Sequence, residues 1–502
     1  MRLCDLYRLS WEEFNHTRAH QAGQYLTLAG SAAADVALRQ SSTLNPNRES
    51  GFNAPYGVLR TYIWHISILF HFPIQGYKSF FSLIFSRPLS IKRTMSSPPP
   101  TPLLVDIHTH IYPPSYISLL SARSTVPYIH RPADNDNDET ADARLIILPS
   151  DDEPSKPRHQ RGRPLDRSYS SLAAKRAFMA RHGIAISVIS LANPWLDFLV
   201  DDLATSAPRI AADLNDELDR ECAAFNDHDR TLVGSPSGQK LYAFATLPVT
   251  AAVPAVVAEI HRVRALRHVR GVILSTAGLR GAGLADARMD AVWDALSETQ
   301  TLVFLHPHYG LPDAAYYGTG TGTAAGSDSG HVLPLALGFP LETTIALTRL
   351  YLAGTFDRFP ELRLLLAHAG GALPFLAGRV DSCVRHERAF APCTPGGQRS
   401  GPARSIWDVL RSNVYLDAVV YATPALKAAV DAAGGDRVLF GTDHPFFPPI
   451  GDDDGQGKWE SVQMNVRAIE RAFGDGGDGH GLATASAILG GNAVRILGLD
   501  LD

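Results

Sequence analysis

The sequence predicts an α/β protein built as a (β/α)8 barrel. Three observations point there. Eight short apolar runs rich in Val, Ile and Leu recur from residue 103 onward. Stretches with helical apolar spacing lie between them. Histidines and one aspartate stand just past the ends of four of the runs. Continuous apolar runs are what strands covered on both faces require. Strands alternating with helices build a parallel sheet.

The runs are Leu103–Ile107, Ala185–Leu191, Leu241–Leu247, Gly271–Ser275, Thr301–Leu305, Leu362–Ala367, Val414–Ala418 and Arg437–Gly441. Helical spacing is read over Ser171–His182, Val253–Arg267, Asp290–Thr299, Thr343–Phe356, Thr423–Ala433 and Trp459–Phe473. A doubly wound sheet is the alternative, but no Gly-x-Gly-x-x-Gly turn follows the first run. Gly318, Gly320 and Gly322 sit in a low-complexity loop and read as linker. Two long excursions, 121–168 and 307–340, follow the first and fifth runs. They belong to the βα loops, where barrels carry their chemistry.

Residues 1–94 lack this rhythm. Tyr62–Tyr77 is apolar and uncharged but contains His65, His71 and Pro73. It is shorter than the roughly 20 apolar residues that a spanning helix needs. Met95 precedes Ser-Ser-Pro-Pro-Pro-Thr-Pro and then the first run. The expected organisation is a poorly ordered or spurious extension over 1–94 and a catalytic barrel over 95–502.

Composition narrows the partners. The chain has 502 residues, a net charge of -5 and 19% charged residues. Nothing there calls for nucleic acid or an anionic membrane. The 4 cysteines form no Cys-x-x-Cys pair and no disulfide framework. A reducing compartment, the cytosol, is expected. The acidic, glycine-rich stretches at Asp452–Asp454 and from Gly474 do not read as calcium sites.

The chemistry is concentrated at the run ends. Run one ends in His108-x-His110, and residues two apart on a strand share a face. Run five ends in His306, with His308 as a competitor; His306 is favoured because it directly ends the apolar run. His368 follows run six. Asp443 follows run eight, and its charge favours it over His444. Strand ends converge on a barrel axis, so these groups meet. Neutral imidazoles plus one carboxylate suit a single divalent metal, most naturally Zn²⁺, with a position left open. The same ligands accept Mn²⁺, Co²⁺ or Fe²⁺.

The motifs VDIHTHIYPPSY, FLHPHYGLP, LGFPLETT, LLLAHAGGALPFLAGR and GTDHPFFPP resemble those of the amidohydrolase-related decarboxylases, the aminocarboxymuconate semialdehyde decarboxylase group. The resemblance runs from residue 103 to about 500. GRPLDRSYSSL, ISLANPWLDF and GHVLPLALGFPLETT are similar to fungal 6-methylsalicylate and uracil-5-carboxylate (iso-orotate) decarboxylases alike. The resemblance implies a barrel of amidohydrolase type with long βα-loop insertions. It implies His108, His110, His306 and Asp443 as metal ligands, with His368 and Asp443 catalytic. Arg379 would pair with the substrate carboxylate, Phe446 would stack on the ring and Asn193 would bond a ring substituent. The expected reaction is non-oxidative loss of CO2 from 6-methylsalicylate, giving 3-methylphenol in a fungal polyketide pathway, without an organic cofactor. The substrate is then a small aromatic carboxylic acid and the enzyme a homodimer. The acidic-polar excursion Tyr128–Asp166, with its ILPSDDEP segment, looks more like that of the 6-methylsalicylate enzymes, and this resemblance selects 6-methylsalicylate over uracil-5-carboxylate. A metal-dependent hydrolase on the same barrel is the competing class.

Overall fold

The computed structural model describes residues 102–501 except 132–142, 149–150, 153–154, 156–160, 201–204, 232–237, 313–314, 317–331, 391–400, 450–456 and 475–479. The expectation for residues 1–94, the glycine loop at 318–322 and Asp452–Asp454 all lie outside the described residues. No helix among the described residues is long and apolar enough to cross a membrane.

Eight parallel strands form one sheet in chain order. They are β1 (Leu104–His110), β2 (Ile184–Ser190), β3 (Lys240–Thr246), β4 (Val269–Ser275), β5 (Val303–His306), β6 (Leu364–Leu366), β7 (Val414–Asp417) and β8 (Val438–Leu439). The main helices that follow them are α1 (Leu172–His182), α2 (Ala207–Thr231), α3 (Val253–Val263), α4 (Asp290–Glu298), α5 (Phe339–Leu352), α6 (Leu373–Phe390), α7 (Thr423–Ala433) and α8 (Glu460–Phe473). The sheet closes between its last and first strands. Ile107 N donates to Phe440 O at 3.1 Å and His110 N to His444 O at 2.7 Å. Thr109 and His444 form a parallel bridge. The fold is the expected (β/α)8 barrel.

Local chemistry sets the elements. Helix α1 starts where the Ser171 hydroxyl accepts from Ala174 N and stops at Gly183 in the left-handed conformation. Both ends follow ordinary capping rules. Strand β5 shows how the core divides. Val303 and Leu305 pack in one buried cluster with Trp293, Leu296 and Leu347. Phe304 and His306 alternate with them. The Phe304 ring lies 4.9 Å from His108 and 5.4 Å from Phe244, and so forms a floor under the histidines.

Some elements differ from the sequence reading. Strands β6 and β8 are shorter than their apolar runs, yet flanking residues still bond the neighbouring strands: Ala367 N donates to Leu305 O at 3.0 Å and Phe440 O accepts from Ile107 N. Helix α2 was not expected. It is rich in charged residues, and its buried row (Ala207, Ala211, Leu214, Leu218, Cys222, Phe225) is narrow. The first excursion is not only a polar loop. Tyr128–His130, Arg144–Ile146 and Arg163–Pro164 form a small antiparallel sheet that delivers Arg163 to the site.

Candidate metal centre and substrate cavity

The strand ends bring four donors together. One donor atom each from His108, His110, His306 and Asp443 lies within 4.8 Å of the others, and all four residues are buried. His108 Nε2 and His110 Nε2 stand 3.3 and 3.5 Å from Asp443 Oδ1. Tetrahedral ligands with bonds of about 2.1 Å stand about 3.4 Å apart. The Nε2 atoms of His108, His110 and His306 are buried and have no hydrogen-bond partner. Unpartnered buried polar atoms are rare. Three aimed at one point beside a carboxylate make a donor set for one divalent metal.

Each imidazole is held from behind. His108 Nδ1 lies 2.6 Å from Asp417 Oδ2, His110 Nδ1 is 3.0 Å from Ser190 Oγ, and His306 Nδ1 is 2.9 Å from Pro307 O. A partner that takes the Nδ1 proton leaves the Nε2 lone pair facing the centre. Asp417, at the end of β7, has no motif of its own; the one signal in the sequence is its position at a strand end. Its carboxylate also accepts from His368 N, Ala369 N and Val419 N at 2.8–3.0 Å.

Electrostatics follow from this packing. Burial works against protonation of His108, but Asp443 and Asp417 overcome it and raise its pKa to about 10. Burial lowers His110 to about 4 and pushes His306 well down. Burial works against the Asp443 carboxylate, yet His108 and the other imidazoles hold it well below the usual range. The metal-free site therefore carries a proton on His108 that a metal must displace.

The turn carrying Asp443 is constrained. Asp443 has φ 59° and His368 has φ 54°. Non-glycine residues in the left-handed region cluster where function over-determines the backbone. His368 Nε2 lies 3.7 Å from Asp443 Oδ2. His308 and His444 stay out of the cluster. His308 Nε2 pairs with Asp197 at 2.6 Å, and His444 turns toward Lys175.

His306, His368 and Asp443 open onto a cavity of about 600 Å³. Arg163, Asn193 and Phe446 line it, together with an apolar wall that includes Phe339, Val419 and Phe447. The Phe446 ring is 5.7 Å from His110 and 5.6 Å from the Arg163 guanidinium. Asn193 Nδ2 donates to His308 O at 3.2 Å, which leaves its side-chain oxygen free to accept.

Arg379 is not brought to this cavity. It is exposed on α6 and lines a separate groove of about 750 Å³ with Leu352, Leu376 and Phe390. Leu373, Ala377 and Asp381 form the buried row of α6. Two residues beyond Ala377 turn a helical side chain by about 200°, to the outer face. The cation present in the cavity is Arg163. Sequence reasoning passed over it because it lies far from any barrel strand end.

The amidohydrolase family model matches residues 105–499. Gamma-resorcylate decarboxylase of Rhizobium sp. is 29% identical over 53% of this chain and 75% of its own length. The 6-methylsalicylic acid decarboxylase of Aspergillus aculeatus is 28% identical over 48% of this chain and 66% of its own. Among solved structures, the apo IDCase of Metarhizium anisopliae is 45% identical with a TM-score of 0.67, covering 79% of this chain and 97% of that one. The chain belongs to the amidohydrolase family, among its decarboxylases.

Proposed function

We propose that this protein removes CO2 from 6-methylsalicylate, giving 3-methylphenol, with one divalent metal, Zn²⁺, held by His108, His110, His306 and Asp443. One observation carries the reading. The donor set opens onto a largely apolar cavity that holds a guanidinium, an amide and an aromatic ring. That lining suits a planar aromatic acid.

A divalent metal held by His108, His110, His306 and Asp443 would supply Lewis acidity that stabilises negative charge developing on the substrate oxygens. Arg163 pairs with the carboxylate and Phe446 packs against the ring. The Asp443 carboxylate takes a proton relayed through His368, 3.7 Å away, and delivers that proton to the ring carbon that bears the carboxylate. The carbon becomes tetrahedral. The C–C bond to the carboxylate then breaks, its electron pair returns to the ring, and aromaticity is restored. Protonation before bond cleavage avoids a free aryl carbanion.

Arg379 fits the scheme in one way. The face that carries it also exposes Phe375, 84% accessible, and Phe390, 72% accessible. A second copy docked there would cover these rings, and Arg379 would act on the partner's cavity. The enzyme is then a cytosolic homodimer. Mixing an Arg379→Ala chain with an Asp443→Asn chain tests this. Recovered activity supports action across the dimer, and none rejects it.

Uracil-5-carboxylate is the second reading. Asn193 and Arg163 favour it, because they can pair with ring carbonyls that 6-methylsalicylate lacks. The test gives metal-loaded protein each acid, with and without chelator, and follows product mass and released CO2. Chelator-sensitive 3-methylphenol supports the first reading. Uracil moves the substrate and keeps the mechanism. Neither product, with turnover of esters or lactones instead, would replace decarboxylation by hydrolysis.

A further inference from the structure

A second buried polar cluster lies behind the metal centre, and the mechanism above does not use it. Lys175 on α1 is fully buried. Its Nζ donates to Thr109 Oγ1 at 2.6 Å and lies 2.6 Å from His444 Nδ1. Thr109 sits between the ligands His108 and His110. His444 directly follows the ligand Asp443. The His444 ring is packed 3.8 Å from Phe178 and 4.5 Å from Trp459, so it cannot swing to another partner.

The rest of the cluster ties the same two segments together. Thr109 Oγ1 donates to His444 O at 3.2 Å, and His110 N donates to the same carbonyl at 2.7 Å. Asp443 N donates to His108 O at 2.7 Å. Asp106 accepts from Thr442 N at 3.0 Å and from Thr442 Oγ1 at 2.8 Å. Asp443 itself has φ 59°. Backbone in that region persists only where its surroundings hold it.

A buried lysine is costly unless its protons are used. A hydrophobic residue would fill the space behind β1 without that cost. Only a donor such as the ammonium can bond a strand hydroxyl and a ring nitrogen on two different segments at once. We propose that Lys175 is a positioning residue for Asp443. From α1 it clamps Thr109 on β1 to His444 after β8, and so fixes where the Asp443 carboxylate stands relative to His108 and His110. This rests on the proposed role of Asp443, but the clamp itself is a statement about ligand geometry.

The test loads wild type, Lys175→Met and Thr109→Val with Co²⁺ and records the visible spectrum, which reports ligand geometry without turnover. Circular dichroism identifies the folded variants. Thr109→Val removes one acceptor of the clamp while keeping the lysine, so it serves if Lys175→Met does not fold. A changed Co²⁺ spectrum in a folded variant supports the clamp. So does a kcat reduced about 10- to 100-fold with KM little changed, the usual size for a group that orients a metal ligand. A wild-type spectrum in folded Lys175→Met or Thr109→Val overturns it. If no acid is decarboxylated by wild type but the spectrum still shifts, the substrate reading fails and the clamp stands.

Discussion

His108 Nδ1 and Asp417 Oδ2 lie 2.6 Å apart, both fully buried, on strands at separate positions of the sheet. The carboxylate holds one proton of the imidazole and so decides which nitrogen faces the metal centre. Asp417→Asn keeps the shape and removes that control. It should weaken metal binding about 10- to 100-fold. Competition with a coloured chelator measures this; unchanged affinity would show that Asp417 serves only the His368–Ala369 turn.

The His108 proton sets the pH response. Its pKa is raised from 6.5 to about 10 in the metal-free fold, and binding must displace that proton. His110 and His306 are lowered and do not compete. Metal affinity should therefore rise about tenfold per pH unit from neutrality toward pH 10, with one proton released per metal. Calorimetry in buffers of different ionisation enthalpy counts the proton.

The same shift has a sign for stability. A raised histidine pKa stabilises the metal-free fold in full below pH 6.5, and the contribution is lost as pH rises through about 10. The Tm of the metal-free protein should fall across that window. The metal-loaded protein, whose His108 has already given up its Nε2 proton, should lack that decline.

Arg163 should govern substrate capture. Arg163→Met removes the guanidinium from the cavity and leaves the ligands in place. KM should rise on the order of 100-fold, matching the loss of a charge-assisted pair of about 3 kcal/mol. Arg163→Lys should recover part of it, because an ammonium supplies charge without the planar fork. Steady-state kinetics with the preferred acid decides; a KM unmoved by Arg163→Met would leave the carboxylate to the metal and Arg379.

Stability away from the site should separate from activity. Trp293 on α4 is 1% exposed, and its indole N–H donates to Leu284 O at 3.3 Å. Trp293→Ala should cost about 3–5 kcal/mol through the cavity it leaves and the carbonyl it orphans. Denaturant unfolding measures this, with kcat of the remaining folded protein close to wild type.

The barrel and its reactive end were legible in the chain itself. Apolar runs such as AISVISL state their burial through composition, and a histidine that ends a run inherits a fixed place at a strand end. The two-residue repeat of a strand puts His108 and His110 on one face before any tertiary contact is known. Which of His306 and His308 joins them was less legible, since both share that face by spacing. The fold separates them by giving His308 to Asp197. Arg163 and Lys175 were not legible at all, and Asp417 only through its place at a strand end. Each acts on residues hundreds or tens of positions away, across strands or from the small antiparallel sheet, and no local pattern encodes such a meeting. Where Arg379 points was hidden for the same reason. Its motif gives its type and its neighbours, but only the helical phase of α6, set by Leu373, Ala377 and Asp381 against the core, turns it outward.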